Sequence, residues 1–408
     1  MTALVTGIGI ASPIGSGVGP YWDAALGGTR GISPITRFDA AKYRVRLAGE
    51  VRDFEPAELL PTRLMPQTDH MTRMSLVAAE WALADAGVRP AELPEYEMAV
   101  VTGATAGGYD FGQRELQKLW GLGPDHVSTY QSFAWFYAVN TGQISIRHGM
   151  RGPGAVIVTE QSSGLDAVGH ARRQLRKGSR VAVTGGIDSS LCPWAWVAHL
   201  VAGQLSERDD PASAYLPFDA SACGHVPGEG GALLVLETAE SAAQRGAARC
   251  YGEIAGYAAT FGSRREDSAP ALGRAAALAL ADAGMTAADI DVVFADAAGQ
   301  PALDETEARV IAELFGPHGV PVTAPKTMTG RLYAGGAALD LATALLAITH
   351  DQIPPTVNVR DVPERYRIDL VREARSLPVR AALVLSRGRG GFCSAVVARE
   401  YSTVRSAR

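Results

Sequence analysis

One six-residue segment occurs twice in this chain. Ala82-Leu-Ala-Asp-Ala-Gly87 is repeated letter for letter as Ala279-Leu-Ala-Asp-Ala-Gly284. Each copy ends a predicted helix, because glycine readily adopts the left-handed conformation that stops a helix. Each copy is followed by a short linker and an apolar strand, at Met98–Thr102 and Val292–Ala295. The shared order of helix, linker and strand favours an internal duplication over coincidence in an alanine-rich chain.

Two further pairs of segments fit a duplication. They are residues 156–177 with 320–349, each a strand, a polar corner and a helix, and the strands 180–184 with 381–385. We therefore divide the chain into two α/β halves, 1–245 and 246–408, each a sheet covered by helices. The first half carries extra sequence at about 105–150, and insertions at strand ends build binding surfaces in α/β folds.

Composition and charge exclude several classes of protein. With 47% hydrophobic residues and a net charge of −5, the 408-residue chain matches neither a nucleic-acid-binding protein nor one that binds anionic membranes. Its four cysteines are widely spaced, and its histidines do not pair at helical spacing, so we expect no disulfide framework and no metal site. Without a recognisable signal peptide or membrane span, a cytoplasmic location is expected. The polar end, Tyr401 to Arg408, is expected to be loose.

A polar corner stands between a strand and a helix in the first half. The β-branched run Val156–Thr159 ends at Glu160-Gln161-Ser162-Ser163, and a helical pattern continues through Leu175. A residue at such a corner lies at a helix N-terminus, where unpaired N–H groups and the helix dipole favour negative charge. Enzymes place nucleophiles there. Here the corner residue is Gln161, whose neutral amide cannot attack a substrate.

Several motifs in order resemble the β-ketoacyl synthases, and more narrowly the chain length factors, or KSβ subunits, of bacterial type II aromatic polyketide synthases. These motifs are Glu160-Gln-Ser-Ser-Gly-Leu-Asp166, Ser132-Phe-Ala-Trp-Phe-Tyr-Ala-Val-Asn-Thr-Gly142, Pro217-Phe-Asp219, Gly228-Glu-Gly-Gly231, Pro325-Lys-Thr-Met-Thr-Gly-Arg331 and Gly388-Arg-Gly-Gly-Phe392. The resemblance covers essentially the whole chain. It implies a thiolase-like α/β fold, with two duplicated halves stacked as a five-layer αβαβα sandwich.

The resemblance also implies that the condensing machinery is lost. Catalytic members use a cysteine nucleophile and two histidines. The cysteine corresponds to Gln161, the first histidine to Asp296 and the second to Arg331. Because members of a catalytic set act as a unit, we expect no condensing activity and no catalytic residue here. We expect Asp296 and Arg331 to form an ion pair in place of the two histidines.

Three residues of the surrounding shell match positions that the family keeps. They are Asp304, Glu307 and Lys326. We expect a structural role for all three, in which Lys326 neutralises one of the two carboxylates.

For function, the resemblance implies a heterodimer with a catalytic ketosynthase, KSα, that elongates a poly-β-ketone carried by an acyl carrier protein. No cofactor is expected in this chain, since the phosphopantetheine arm of the carrier reaches KSα. The tunnel gate should lie on the helix of Tyr109, Gly112 and Leu116, which share one face, with Trp194 as a further wall. Because Gly112 fills little volume, we expect a roomy tunnel and a decaketide or longer product.

The aromatic cluster Phe133, Trp135, Phe136 and Tyr137 is expected to form core or a protein interface.

Two alternatives stay open. The chain could be a malonyl-carrier-protein decarboxylase that supplies an acetyl starter through Gln161, or a homodimeric scaffold without a catalytic partner.

At the N-terminus, Gly7-x-Gly9 lacks the third glycine of a dinucleotide-binding fingerprint, so a structural turn is expected there.

Overall fold

A computed structural model describes residues 2–262 and 269–401 of the chain. Of the segment expected to be loose, only Tyr401 belongs to the described residues. The polypeptide forms one large sheet that surrounds a pair of buried helices and is covered outside by further helices.

Fifteen strands are found in the described residues. They are β1 (Ala3–Ala11), β2 (Ile32–Pro34), β3 (Leu47–Gly49), β4 (Met98–Gly103), β5 (Gly154–Ile157), β6 (Val181–Asp188), β7 (Gly230–Thr238), β8 (Gly252–Phe261), β9 (Val292–Phe294), β10 (Pro321–Thr323), β11 (Gln352–Ile353), β12 (Asp369–Leu370), β13 (Arg375–Ser376), β14 (Ala381–Gly388) and β15 (Phe392–Arg399). Eleven of them form a mixed sheet in the order β12-β10-β9-β14-β15-β8-β1-β7-β6-β4-β5. The outer strands of each half are parallel and the inner four are antiparallel.

The same part of the chain contains thirteen α-helices. They are α1 (Val18–Leu26), α2 (Pro56–Leu59), α3 (His70–Ala86), α4 (Tyr109–Leu122), α5 (Gln131–Ala134), α6 (Val139–His148), α7 (Ser163–Arg176), α8 (Pro193–Ala202), α9 (Ala239–Gln244), α10 (Ala269–Ala283), α11 (Pro301–Phe315), α12 (Lys326–Thr329) and α13 (Ala334–His350). None of them is both long enough and apolar enough to cross a membrane.

The helices form three layers separated by the two halves of the sheet. Helices α7 and α13 pack against each other in the centre, and α13 contacts β6 and β7 on one side and β14 and β15 on the other. Helix α3 covers the outer face of the first half, and α10 covers that of the second. The predicted five-layer α/β fold is therefore confirmed. The two halves are joined into one sheet by two residue pairs between β1 and β8.

The glycines of β1 lie inside the strand, so the expectation of a turn at Gly7-x-Gly9 is wrong. A Cβ atom at Gly7 would lie 2.2 Å from the carbonyl oxygen of Ala82 in α3. In the second half, a Cβ atom at Gly256 of β8 would lie 2.0 Å from the carbonyl oxygen of Ala279 in α10. Glycine is required at both positions because the helix backbone rests directly on the strand.

The repeated aspartate has the same role in both halves. Asp85 Oδ2 accepts a hydrogen bond from the N–H of Ile8 (2.9 Å), and Asp282 Oδ2 accepts one from the N–H of Tyr257 (3.0 Å). Each of these N–H groups belongs to the residue that follows the glycine under the helix. The strand pairing shifts register at this point, so the N–H group loses its hydrogen-bond partner in the neighbouring strand. On this equivalence we propose that the chain is a duplication, with its two domains at 1–245 and 246–408.

Alanine at Gly7 or Gly256 should destabilise the protein, because the new methyl group must displace a helix backbone. We expect each substitution to lower the free energy of unfolding by roughly 1–3 kcal/mol. Gly121→Ala is the matched control, since Gly121 lies in α4 with nothing near its missing Cβ, and it should stabilise the helix by about 0.5–1 kcal/mol. Urea unfolding of the three variants measures both effects. Wild-type stability of Gly7→Ala and Gly256→Ala would contradict the packing described.

Candidate functional site

The corner at Gln161 forms as predicted. Strand β5 ends at Ile157, a single 3₁₀ turn covers Glu160–Ser162, and α7 begins at Ser163. Glu160 adopts a left-handed conformation with φ of 56°. Its carboxylate accepts hydrogen bonds from the N–H groups of Gln161 (2.8 Å) and Arg389 (2.9 Å), so it joins the corner to the loop after β14. Gln161 itself is buried.

Asp296 and Arg331 form the expected ion pair, which confirms that hypothesis. Arg331 Nη2 lies 2.9 Å from Asp296 Oδ1, and both side chains are buried. Burial alone would raise the pKa of Asp296. The charges of Arg331, Arg387 and Lys326 instead hold this pKa well below its usual range. The position therefore carries a permanent anion.

A second arginine, Arg387, completes this site and is not predicted from the sequence. It stands at the end of the apolar strand β14, where its Nε lies 3.1 Å from Asp296 Oδ2. Its Nη2 lies 2.9 Å from Glu307 Oε2. Glu307 also accepts hydrogen bonds from the backbone N–H groups of Asp296 (2.7 Å) and Ala297 (2.9 Å). The sequence offers one signal for Arg387, which is a single charged residue after six uncharged residues of the strand.

Lys326 does not neutralise Asp304 or Glu307, so that expectation is wrong. Its Nζ lies 2.6 Å from Asp340 Oδ2 on α13 and donates to the carbonyl oxygen of Ala295 (2.7 Å). The physical reason is that Arg387 already occupies Glu307.

Among the described residues, only backbone N–H groups donate hydrogen bonds to Asp304. It accepts N–H hydrogen bonds from Phe218 and Gly299, each at 3.0 Å. Burial raises its pKa to about 7.

Asp296, Arg331 and Arg387 border a cavity of about 240 Å³, which Gln161, His225 and Cys393 also line. Burial raises the pKa of the Cys393 thiol to about 11, so this thiol is not a nucleophile at neutral pH. Both buried arginines of the cavity are paired with carboxylates. Within residues 2–262 and 269–401, no cluster of His, Cys, Asp and Glu could hold a metal ion. The arrangement offers neither a covalent nucleophile at the corner nor an unpaired buried cation.

His225 is a second residue of the cavity that sequence reasoning missed. It is buried, and burial together with the charge of Arg331 and the neighbouring His199 lowers its pKa well below the usual value. The ring is therefore neutral. The sequence gives no indication of this placement, because His225 stands between glycine-rich turns far from Gln161 along the chain.

Three of the four predicted gate residues meet in the structure. The rings of Tyr109 on α4 and Trp194 on α8 pack edge to face with centroids 4.9 Å apart. A Cβ atom at Gly112 would lie 3.3 Å from both the ring of Trp194 and the Cβ of Trp135. Leu116 lies further along α4 and is half-buried. Two tryptophans therefore border the space that Gly112 leaves.

The predicted aromatic cluster lies at the surface. Trp135, Phe136 and Tyr137 are 46%, 40% and 43% exposed, whereas Phe133 on α5 is half-buried. The rings of Phe136 and Tyr137 pack with centroids 4.3 Å apart. Such a cluster is not a core element in the isolated chain.

Removing the charge of Asp296 should destabilise the protein and reduce its acid sensitivity. Because the folded pKa of Asp296 lies below the unfolded value of about 3.9, its stabilisation is present above that pH and is lost as the pH falls. We expect Asp296→Asn to cost roughly 3–5 kcal/mol at pH 7 and to lose less stability than the wild type between pH 6 and pH 3.

Urea unfolding at a series of pH values measures this difference. The control is Asp39→Asn, whose side chain is 62% exposed and pairs with Lys42, and which should cost less than about 1 kcal/mol. Parallel pH profiles for the wild type and Asp296→Asn would contradict the ionised state of Asp296.

Two family models match the chain. Residues 3–242 match the N-terminal domain of β-ketoacyl synthases, and residues 251–360 match the C-terminal domain. Together they cover most of both halves.

Relatives match along the whole length. The tetracenomycin polyketide synthase ketoacyl synthase beta subunit of Streptomyces glaucescens is 60% identical over 98% of both chains. The actinorhodin polyketide putative β-ketoacyl synthase 2 of Streptomyces coelicolor is 55% identical over 98% of this chain and 99% of that protein.

Solved structures agree with the sequence relatives. The ishigamide ketosynthase/chain length factor superimposes with a TM-score of 0.91 at 29% identity, over 98% of this chain and 99% of that one. A type II polyketide synthase ketosynthase in complex with its acyl-carrier protein superimposes with a TM-score of 0.88 at 26% identity, over 98% of this chain and 99% of that one. The chain belongs to the β-ketoacyl synthase family, in its group of polyketide synthase beta subunits known as chain length factors.

Proposed function

We propose that this chain is a non-catalytic chain length factor. It pairs with a catalytic KSα subunit and shapes the tunnel in which a carrier-protein-bound poly-β-ketone grows during aromatic polyketide biosynthesis. One observation carries the proposal: at the three catalytic positions stand Gln161, Asp296 and Arg331, and the latter two are locked in a buried ion pair. The names of the curated relatives and of the ketosynthase/chain length factor structure support it.

The charge arrangement argues against the alternative of a malonyl decarboxylase. A malonyl carboxylate in the cavity would have to lie near the anion Asp296. The two buried arginines of the cavity already bind carboxylates, and an unpaired buried charge is costly. The site therefore favours no second anion, and the decarboxylase is the weaker hypothesis.

The surface favours a protein partner. Strand β5 lies at the end of the sheet and pairs only with β4 among the described strands, so its outer edge is open to another strand. The exposed aromatics of residues 135–137 belong to the insertion at about 105–150. On α8, Trp194, Val197 and Val201 are 42%, 48% and 81% exposed. Neighbouring exposed apolar side chains of this kind favour an interaction site.

The aromatic cluster and α8 lie next to each other, because Trp135 and Trp194 both border Gly112. We propose that KSα covers this surface, with Phe133, Trp135, Phe136 and Tyr137 in the interface. The tunnel then ends near Tyr109, Gly112, Leu116 and Trp194, and its expected product is a decaketide or longer. The shell residues Asp304, Glu307 and Lys326 hold the disused pocket in shape.

The carrier protein is the third component of this proposal. Its phosphopantetheine arm delivers extender units to KSα, so the chain needs no cofactor for its own role. We place the assembly in the cytoplasm, since all four cysteines are free and disulfides are rare there.

A charge in the aromatic cluster should prevent assembly. We expect Phe136→Asp to weaken binding to KSα by at least about 100-fold, because a buried aromatic anchor is replaced by an unpaired carboxylate. Copurification after coexpression measures this. Leu278→Asp is the control, since Leu278 is 49% exposed on α10 of the other half. Normal pairing by Phe136→Asp would refute the interface, and a self-dimer of the wild type that never incorporates KSα would refute the heterodimer.

A larger side chain at Gly112 should shorten the product. In Gly112→Phe the new ring must share space with Trp194 and Trp135, which a Cβ alone already approaches to 3.3 Å. We expect coexpression with KSα to shift the products towards shorter polyketides, as measured by mass spectrometry.

Gln117→Phe, on the exposed face of the same helix, is the control and should leave product length unchanged. Trp194→Phe offers a milder second variant and should shift products towards longer chains. If neither Gly112→Phe nor Trp194→Phe changes product length in an assembled heterodimer, the gating role is wrong.

A further inference from the structure

Helix α8 begins without a strong hydrogen-bond acceptor of its own. Its N-cap residue is Cys192, whose sulfur is only a weak acceptor, and its first residue, Pro193, has no N–H group. The first N–H group of the helix therefore belongs to Trp194, and helix geometry gives it no partner within α8. This N–H group instead donates to Oε1 of Gln113 on α4, at 2.6 Å. Gln113 thus caps a helix from 81 residues earlier in the chain.

The helix that carries Gln113 is itself held in place by two carboxylates. Asp69, the N-cap residue of α3, accepts a hydrogen bond from the N–H of Phe111 (2.8 Å). Glu115 is buried and accepts one from the N–H of Ser128 (2.7 Å). Because these two hydrogen bonds lie on either side of Gln113 in α4, the carboxamide reaches α8 from a fixed position.

The remainder of α8 is anchored away from α4. Trp196 is fully buried, and its Nε1 donates a hydrogen bond to the carbonyl oxygen of Val45 (3.1 Å). Trp194 is 42% exposed, and its ring packs on Tyr109 of α4. Loss of the hydrogen bond to Gln113 should therefore loosen the first turn of α8 without unfolding the helix.

We propose that Gln113 is a positioning residue for chain-length control, an inference that rests on the proposed function. It holds the backbone of Trp194 beside Gly112, where an added Cβ atom would lie 3.3 Å from the Trp194 ring. Gln113 directly follows Gly112, so one turn of α4 provides both the open space and the hydrogen bond that fixes its wall. Without that hydrogen bond the ring of Trp194 moves away from α4, and the larger space admits longer chains.

Two substitutions separate the hydrogen bond from the volume of the side chain. Gln113→Met keeps an unbranched side chain of similar length but offers only a weak sulfur acceptor. Gln113→Glu keeps an oxygen acceptor, and the positive end of the α8 dipole favours its charge. Gln117→Met is the matched control, because Gln117 lies one turn further along α4 and is exposed.

The position of Trp194 is measured first, by ¹⁹F NMR of the full-length chain labelled with fluorotryptophan. The Trp194 signal is assigned by its loss in Trp194→Phe. We expect this signal to shift or broaden in Gln113→Met and to keep its wild-type position in Gln113→Glu and Gln117→Met. Because KSα is not needed here, the measurement does not depend on the proposed function.

Product length is measured next, by mass spectrometry of the polyketides made by the heterodimer with KSα. In Gln113→Met, the ratio of longer products to those of wild-type length should rise about threefold to tenfold, the equivalent of one lost hydrogen bond. Total turnover should stay near the wild-type value, and Gln113→Glu should restore the wild-type ratio. A purely structural role for Gln113 would lower the yield of heterodimer without changing this ratio.

An unmoved Trp194 signal in Gln113→Met would overturn the proposal, and so would a moved signal with wild-type products. Trp194→Phe shows where the second failure lies. If Trp194→Phe lengthens the products, the proposed gate stands and only the role of Gln113 is wrong. If Trp194→Phe also leaves product length unchanged, the gate has failed, and the role of Gln113 fails with it.

Discussion

The interior of this protein depends on one carboxylate. Asp296 forms ion pairs with Arg331, which lies in the segment before α13, and with Arg387, which lies at the end of β14. The backbone at Asp296 is in turn fixed by Glu307 of α11. Two buried guanidinium groups require two carboxylates, because an unpaired buried charge costs several kcal/mol. The four side chains therefore stabilise one another and join elements of the second half to the pocket of the first.

This network explains why the corner at Gln161 can persist without catalysis. In a condensing enzyme the same positions hold groups that must remain free to bind and react with a substrate. Here Asp296 and Arg331 satisfy each other, and Gln161 is held at its N–H by Glu160. In this chain the pocket is a site of fixed, compensated charge. The proposed interface lies outside it, where β5 has an open strand edge and residues 135–137 and α8 expose apolar side chains.

Sequence reasoning succeeded where one local pattern determines the outcome. Residue spacing predicts the corner at Gln161 and the common face of Tyr109 and Gly112 on α4. The replacement of the two family histidines predicts the Asp296–Arg331 pair. It failed where tertiary packing decides between equivalent partners. Lys326 pairs with Asp340 rather than Glu307, because Arg387 arrives there from a distant strand.

The same limit applies to residues without a local signal. The sequence around Gly7 suggests a turn. Glycine is required there because α3 lies so close to the strand, and only the three-dimensional structure shows this contact. His225 reaches the cavity through a turn that no periodicity marks.

We propose that this chain takes part in polyketide synthesis without forming a bond to the intermediate. Intact-mass spectrometry of the heterodimer, quenched during turnover with malonyl-carrier protein, tests it directly. We expect acyl adducts on KSα and an unchanged mass for this chain, whose Gln161 cannot form a thioester and whose Cys393 is a neutral thiol. An acyl adduct that accumulates on this chain at the rate of turnover would contradict the account.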